Sequence, residues 1–207
     1  MKFSFSTLNM LLEHPHCWVN RQAGVKKAEY AFFKEGRDGH HLIQMHVCGK
    51  SLHEKLKHIE DRFDIVEEKD FDERTHFEFQ HGEYTIHGYH DGRDSLHHRQ
   101  LEIKLSSNPW SILKFRDAAQ RKVYALSDPE CTKQILITGP RDPKLWSDRT
   151  VKRFVLEPTE KDRQEAIAWI DKALAVFENG DFLTDLEDGR CTDPWCLYGS
   201  NCLFKQG

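Results

Sequence analysis

Two periods organise this chain. Between Gln100 and Leu105, apolar Leu101, Ile103 and Leu105 alternate with Gln100, Glu102 and Lys104, the two-residue repeat of a strand that buries one face. His76 to Gln80 and Glu83 to His90 read as strands before it, with Gly82 and the Asp91-Gly92-Arg93-Asp94 cluster as turns. Phe63 to Phe71 and Val151 to Leu156 are strand-like as well, and the near-continuous apolar run Gln134 to Gly139 suits a buried central strand of the kind parallel sheets use. A helical period opens at Thr159 and runs through Phe177, with Ala166, Ile167, Ile170, Ala173, Leu174 and Phe177 on one side. A second helix is predicted from Asp38 to Cys48, with Leu42, Ile43 and Val47 on its apolar face and Gly49 as its stop. Ser6 reads as the cap of an opening helix that Pro15 ends or kinks, residues 53–62 as a charged helix, and Pro109 as the start of one running through Ala118 to Leu126. This order predicts a mixed α/β fold, a central mixed sheet flanked by helices.

At 207 residues the chain is expected to form one domain, with an N-terminal helix in 1–24, a core in 36–180 and a cysteine-rich tail in 181–207. Five Trp and thirteen Phe argue against disorder despite the polar composition. No apolar run approaches a membrane span and no leader-like segment opens the chain, so a cytoplasmic, membrane-free location is expected. The net charge of -4 carries no basic footprint of the usual nucleic-acid binder. Clustered carboxylates that meet phosphate through metal ions would give such a balance. Six cysteines in a cytoplasmic chain point to metal or redox use rather than disulfides. Cys191, Cys196 and Cys202 crowd the tail, while Cys17, Cys48 and Cys131 are scattered.

The candidate chemistry lies where the strands end. Asp91 closes one strand, and Glu102 and Lys104 share one face of the next. Two carboxylates offer hard oxygen ligands for Mg²⁺ or Mn²⁺, and a lysine beside them can orient a water or offset developing charge. Gln120 and Tyr124 sit one helical turn apart and share a face. A lone Glu-x-Lys triplet arises by chance in a chain of this composition. The order of its companions carries the reading.

That order, Gly88-Tyr89-His90-Asp91, then Glu102-Ile103-Lys104, then Gln120-Arg121-Lys122-Val123-Tyr124, resembles the RecB-like branch of the PD-(D/E)XK nuclease superfamily. Phe3-Ser4-Phe5-Ser6-Thr7-Leu8-Asn9 is similar to the start of its first helix. The resemblance implies a restriction-endonuclease-like core and Mg²⁺- or Mn²⁺-dependent hydrolysis of DNA, with single-stranded or free ends as substrate. It implies that His40, Asp91, Glu102 and the Ile103 carbonyl hold the metal, that Lys104 is catalytic, and that Gln120 and Tyr124 lie beside the site. The expected histidine follows a glycine by four residues. Gly36 to His40 and Gly49 to His53 both satisfy this, with His40 preferred for the clean apolar face that follows it. His90 stands where the superfamily's name has Pro, and Arg121 and Lys122 fill positions that are usually apolar.

The tail resembles the iron–sulfur staple of some RecB-like nucleases, among them the nuclease of CRISPR spacer acquisition and the AddB helicase–nuclease subunit. There one N-terminal and three C-terminal cysteines hold a [4Fe-4S] cluster; here Cys17, Cys191, Cys196 and Cys202 correspond. Four residues rather than two separate Cys191 from Cys196, and Cys17 follows Pro15 instead of preceding a proline. Zinc on the three tail thiolates plus Cys17 or His14 is the alternative. Two other classes stay open: a non-catalytic DNA-binding module, and a zinc-binding interaction domain. No Gly-x-x-x-x-Gly-Lys-Ser/Thr motif is present, so unwinding would come from a helicase, CRISPR-adaptation or recombination partner.

Overall fold

The structure, a computed structural model, describes residues 1–28, 31–50, 70–73, 75–147, 149–187, 189–193 and 196–205. In chain order the elements are β1 (Lys2–Ser4), α1 (Phe5–Glu13), α2 (His16–Gln22), α3 (Ala31–Val47), β2 (Asp72–Glu73), β3 (His76–His81), β4 (Tyr84–Tyr89), β5 (Gly92–Asp94), β6 (Arg99–Leu105), α4 (Ile112–Asp117), α5 (Ala119–Ser127), β7 (Lys133–Gly139), β8 (Lys152–Leu156) and α6 (Glu160–Asn179). The fold is mixed α/β, with two mixed sheets flanked by helices and a cysteine group in the tail. No described helix is long and apolar enough to cross a membrane. Two compact units divide the chain: Met1–Tyr30, Gln80–His87 and Ile167–Gly207 form one, Ala31–Phe79 and Gly88–Ala166 the other.

The second unit holds a five-stranded sheet in the order β2-β5-β6-β7-β8. β6 and β7 are parallel, in a register that sets Leu101 opposite Ile135 and Ile103 opposite Ile137. These four residues share a core with Leu42, Ile43 and Val47 of α3, and with Phe71, Trp146 and Val151. Each fully buried Leu or Ile contributes about 1.5–3 kcal/mol of transfer free energy, so the apolar stripe of α3 fixes that helix on the sheet. Gly39 lets it approach: a Cβ there would lie 2.8 Å from Leu105 Cδ1. The opposite face of β6 is covered too. Gln100 is 1% and Glu102 4% exposed, because α5 packs over them.

In the first unit β1 lies parallel to β4, with Phe3 opposite Ile86. The fully buried Phe3 ring meets Tyr84 and Phe177 edge-on, at 5.6 and 5.0 Å. A separate cluster joins Cys17 to Cys191, Cys196, Tyr198 and Cys202.

Several expected elements differ. The cap of α1 is Ser4, whose side chain accepts from Thr7 N, not Ser6. The opening helix does end just before Pro15, and Pro15 then begins a second helix, α2, that was not expected. The stretch after Pro109 is two helices, broken at Ala118, whose backbone is extended (φ -66, ψ 126). Gly92 to Asp94 is a strand, not a turn, since its backbone pairs with β6. α3 starts at Ala31 rather than Asp38 and ends before Gly49. His53, the helix expected over 53–62 and most of the strand from Phe63 lie outside the described residues.

Candidate active site and cysteine centre

α3, α5 and the turn between β4 and β5 converge on β6. α3 presents His40, whose Nε2 lies 3.0 Å from Asp91 Oδ2. The same carboxylate oxygen accepts the Ile103 N–H at 2.8 Å, and Gln44 Nε2 donates to the Asp91 carbonyl at 2.6 Å. Asp91 is thereby fixed between β4 and β5. On β6, Glu102 pairs through Oε1 with Lys104 Nζ, as the two-residue spacing predicts. Lys104 Nζ also donates to Gln120 Oε1 at 2.8 Å. Gln120 Nε2 in turn donates to Glu102 Oε2 at 3.3 Å and to the Tyr124 hydroxyl at 2.7 Å, and that hydroxyl donates to the Tyr89 carbonyl at 2.7 Å. The expected side chains therefore form two bonded sets, His40 with Asp91 and Glu102 with Lys104, Gln120 and Tyr124, while Ile103 turns its side chain into the core and meets Asp91 through its N–H.

Burial and charge tune these groups together. Desolvation drives the Glu102 carboxyl up to about 7, opposed by Lys104 and assisted by the Asp91 charge. Burial lowers the His40 imidazole, but its hydrogen bond to Asp91 and the charges of Asp91 and Glu102 outweigh that and raise it. Lys104 is raised as well, since Glu102 more than offsets its desolvation. The side chains of His40, Asp91 and Lys104 keep 31%, 18% and 28% of their surface exposed, so solvent reaches the set.

The positions that depart from the family pattern have structural work. His90, 1% exposed, packs between Phe77 and Tyr124 with ring centroids at 4.9 and 4.5 Å. Gly88 makes room for that Phe77 ring, which a Cβ would approach to 2.6 Å. Arg121 is buried, paired with Asp162 and donating to the Arg116 carbonyl and Gln134, while Lys122 pairs with Glu165 at 2.6 Å. Burial depresses His90 to about 4, so the folded state keeps it neutral while an unfolded His, near 6.5, takes up a proton first. The unfolded chain then binds more protons between those values, and stability falls as pH drops from 6.5 to 4 by up to about 3 kcal/mol. Urea midpoints across that range are expected to flatten in His90→Gln. An unchanged slope would assign the acid sensitivity elsewhere.

In the first unit, a ring nitrogen of His16 and the sulfurs of Cys191, Cys196 and Cys202 all lie within 4.8 Å of one another, and all four residues are buried. This group could bind a metal ion, and its donors are of the types used by zinc and iron–sulfur centres. Cys17 Sγ sits 3.6 Å from His16 Nε2. Burial first, then the neighbouring thiols, push the Cys17 thiol far above its usual range, and burial takes Cys191 to about 12. A bound cation would be needed to draw their protons off. His14, offered by the sequence as a ligand, is half exposed and lies 3.9 Å from Asp185 instead. Cys131 is remote in its bonding, its thiol donating to the Lys133 carbonyl.

No protein-family model and no curated protein matches this chain. Among solved structures, a protein of Eubacterium rectale described as a "putative exonuclease" aligns over 86% of this chain and 81% of its own, at 10% identity and a TM-score of 0.53. The two share a fold. A second, SSO0001, aligns over 100% of this chain and 88% of its own at 13% identity, with a TM-score of 0.47 that supports no further statement.

His16 is the site residue that sequence reasoning passed over. One of thirteen histidines, it is adjacent to Cys17, and that adjacency was the available signal. Its partner Asp185 is too distant in sequence for any spacing rule to find.

Proposed function

We propose that this chain is a metal-dependent DNA nuclease of the RecB-like PD-(D/E)XK type that hydrolyses phosphodiester bonds at single-stranded or free DNA ends. The observation that carries the reading is the pair of bonded sets His40–Asp91 and Glu102–Lys104–Gln120–Tyr124, built from α3, the turn after β4, β6 and α5 in the order the resemblance implies. Two carboxylates and an imidazole face a single lysine there, a donor set that fits a divalent cation better than it fits nothing. Asp91, Glu102, His40 and the Ile103 carbonyl would hold Mg²⁺ or Mn²⁺. A bound ion supplies charge relief on the scissile phosphate and a more acidic water.

The chain's own residues do the rest. Gln120 spans Lys104, Glu102 and Tyr124, so it sets the Lys104 ammonium in place. From there Lys104 orients the attacking water and offsets charge on the phosphate oxygens. Trp110 supports a single-stranded substrate: half-buried, it lies with its ring centroid 5.5 Å from Lys104 Nζ and 4.8 Å from Lys114 Nζ, an aromatic surface between two cations beside the reaction. The Trp110 backbone N–H donates to Thr138 Oγ1 at 2.9 Å. A helicase, CRISPR-adaptation or recombination partner would supply unwound DNA.

End-labelled single- and double-stranded DNAs, incubated with Mg²⁺, with Mn²⁺ and with chelator, test the reading. Metal-dependent shortening from an end is expected, faster on single strands. Binding without cleavage under all three conditions would instead leave a non-catalytic module.

A further inference from the structure

The donor set of the cysteine centre does not match the cluster that the tail's resemblance implies. In a [4Fe-4S] centre each ligating sulfur binds a different iron corner of the cube, so the four ligand sulfurs stand well apart around eight cluster atoms. Here the mutually close donors are one imidazole nitrogen and three sulfurs, all within 4.8 Å, and Cys17 is not among them. Zn–S bonds of about 2.3 Å and Zn–N bonds of about 2.0–2.1 Å give tetrahedral donor separations of roughly 3.4–3.8 Å. The group is the size of a single ion's shell.

The imidazole is prepared as a ligand. Asp185 Oδ2 lies 2.5 Å from His16 Nδ1, and Asp185 Oδ1 accepts the His16 backbone N–H at 3.3 Å. An ionised carboxylate can only accept, so Nδ1 carries the ring proton and the Nε2 lone pair is left facing the sulfurs. A carboxylate behind an imidazole is the usual support of a metal-binding histidine. The sulfurs are supported as well. Asn20 Nδ2 donates to Cys202 Sγ at 3.4 Å, and Asn20 Oδ1 accepts the Leu203 N–H at 2.8 Å, holding the tail against α2. The Cys191 N–H is bound to the Phe204 carbonyl at 2.9 Å. His16 itself has only 3% of its side chain exposed, and its Nε2 is met by the Cys17 sulfur at 3.6 Å.

We propose that His16 Nε2 and the thiolates of Cys191, Cys196 and Cys202 bind a single zinc-class ion, with Asp185 as the positioning residue behind His16 and Cys17 as a non-ligating thiol beside the centre. The proposal is independent of the nuclease reading, because its readout is metal content and coordination rather than cleavage. The full chain, purified anaerobically, is analysed for zinc, iron and acid-labile sulfide, and by X-ray absorption at the metal edge. A colourless protein with one equivalent of zinc, no sulfide, and a shell of one nitrogen and three sulfurs is expected. Cys17→Ala keeps its zinc, whereas His16→Ala loses it. Asp185→Asn binds zinc about 10–100-fold more weakly against a competing chelator. The unsubstituted protein decides the matter even if a variant fails to fold. Iron with stoichiometric sulfide, an all-sulfur shell, or no bound metal overturns the proposal.

Discussion

Glu102→Gln and Lys104→Ala are each expected to lower DNA cleavage by about 10²–10³-fold or more, the scale on which one preorganised charge-stabilising group acts, while the far-UV spectrum stays that of the parent. Glu102→Gln is the cleaner test. It keeps the side chain's shape under α5 and its contact with Gln120, and removes only the charge that a cation needs. Lys104→Ala leaves Glu102 buried beside Asp91 without its ammonium partner, but a carboxyl already driven to about 7 can take up a proton instead of remaining as an unpaired charge. The fold therefore tolerates the change. Asp91→Ala removes a ligand and also frees His40 Nε2 and the Ile103 N–H, so it should lose activity with some loss of stability. Cleavage by Lys104→Ala at the parental rate would show that the assembled set is not the reacting one.

Cys196→Ala is expected to lower the melting temperature of the first unit by more than about 10 °C. A metal that joins His16 to Cys191 closes most of the chain into a loop, and cross-links of that span contribute about 4–5 kcal/mol in the chain-entropy account. Binding free energy at such a site becomes folding free energy, and each kcal/mol moves the midpoint of a domain this size by about 2–8 °C. Chelator-treated parent should melt where Cys196→Ala does. Cys131→Ala, outside the centre, should shift by only a few degrees. Calorimetry showing the same melting for all three proteins would mean that the tail is held by packing alone.

What could be read from sequence follows the range of the forces involved. β6 was legible because alternation is local: Leu101 and Ile103 enter the core while Glu102 and Lys104 point the other way. α6 and β7 were legible for the same reason, one from its helical stripe and the other from its apolar run. β5 was not, since Gly92-Arg93-Asp94 has the composition of a turn and becomes a strand only by pairing with β6 and β2. Nothing in Phe115 to Gln120 announces the break at Ala118, which carries no glycine or proline signal. At the candidate site, identities and order sufficed to bring the residues together on paper. The covering of the polar face did not emerge, because it depends on how α5 lies across β6. His16 was missed for a similar cause: its meaning comes from Asp185 and three tail cysteines, none of them near it in sequence.

The two units differ in when they can form. Every segment of the second lies between Ala31 and Ala166, whereas the first needs Met1–Tyr30 and Gln80–His87 together with Ile167–Gly207. On a ribosome the second unit can be complete while the cysteines of the tail are still unmade, and domains fold as they emerge. Cys17 of α2 can then meet its neighbours Cys191, Cys196, Tyr198 and Cys202 only after that tail has been made. A chain stalled before Cys191 would hold the His40–Asp91 and Glu102–Lys104 pairs in place but would have no cysteine centre to close around α2.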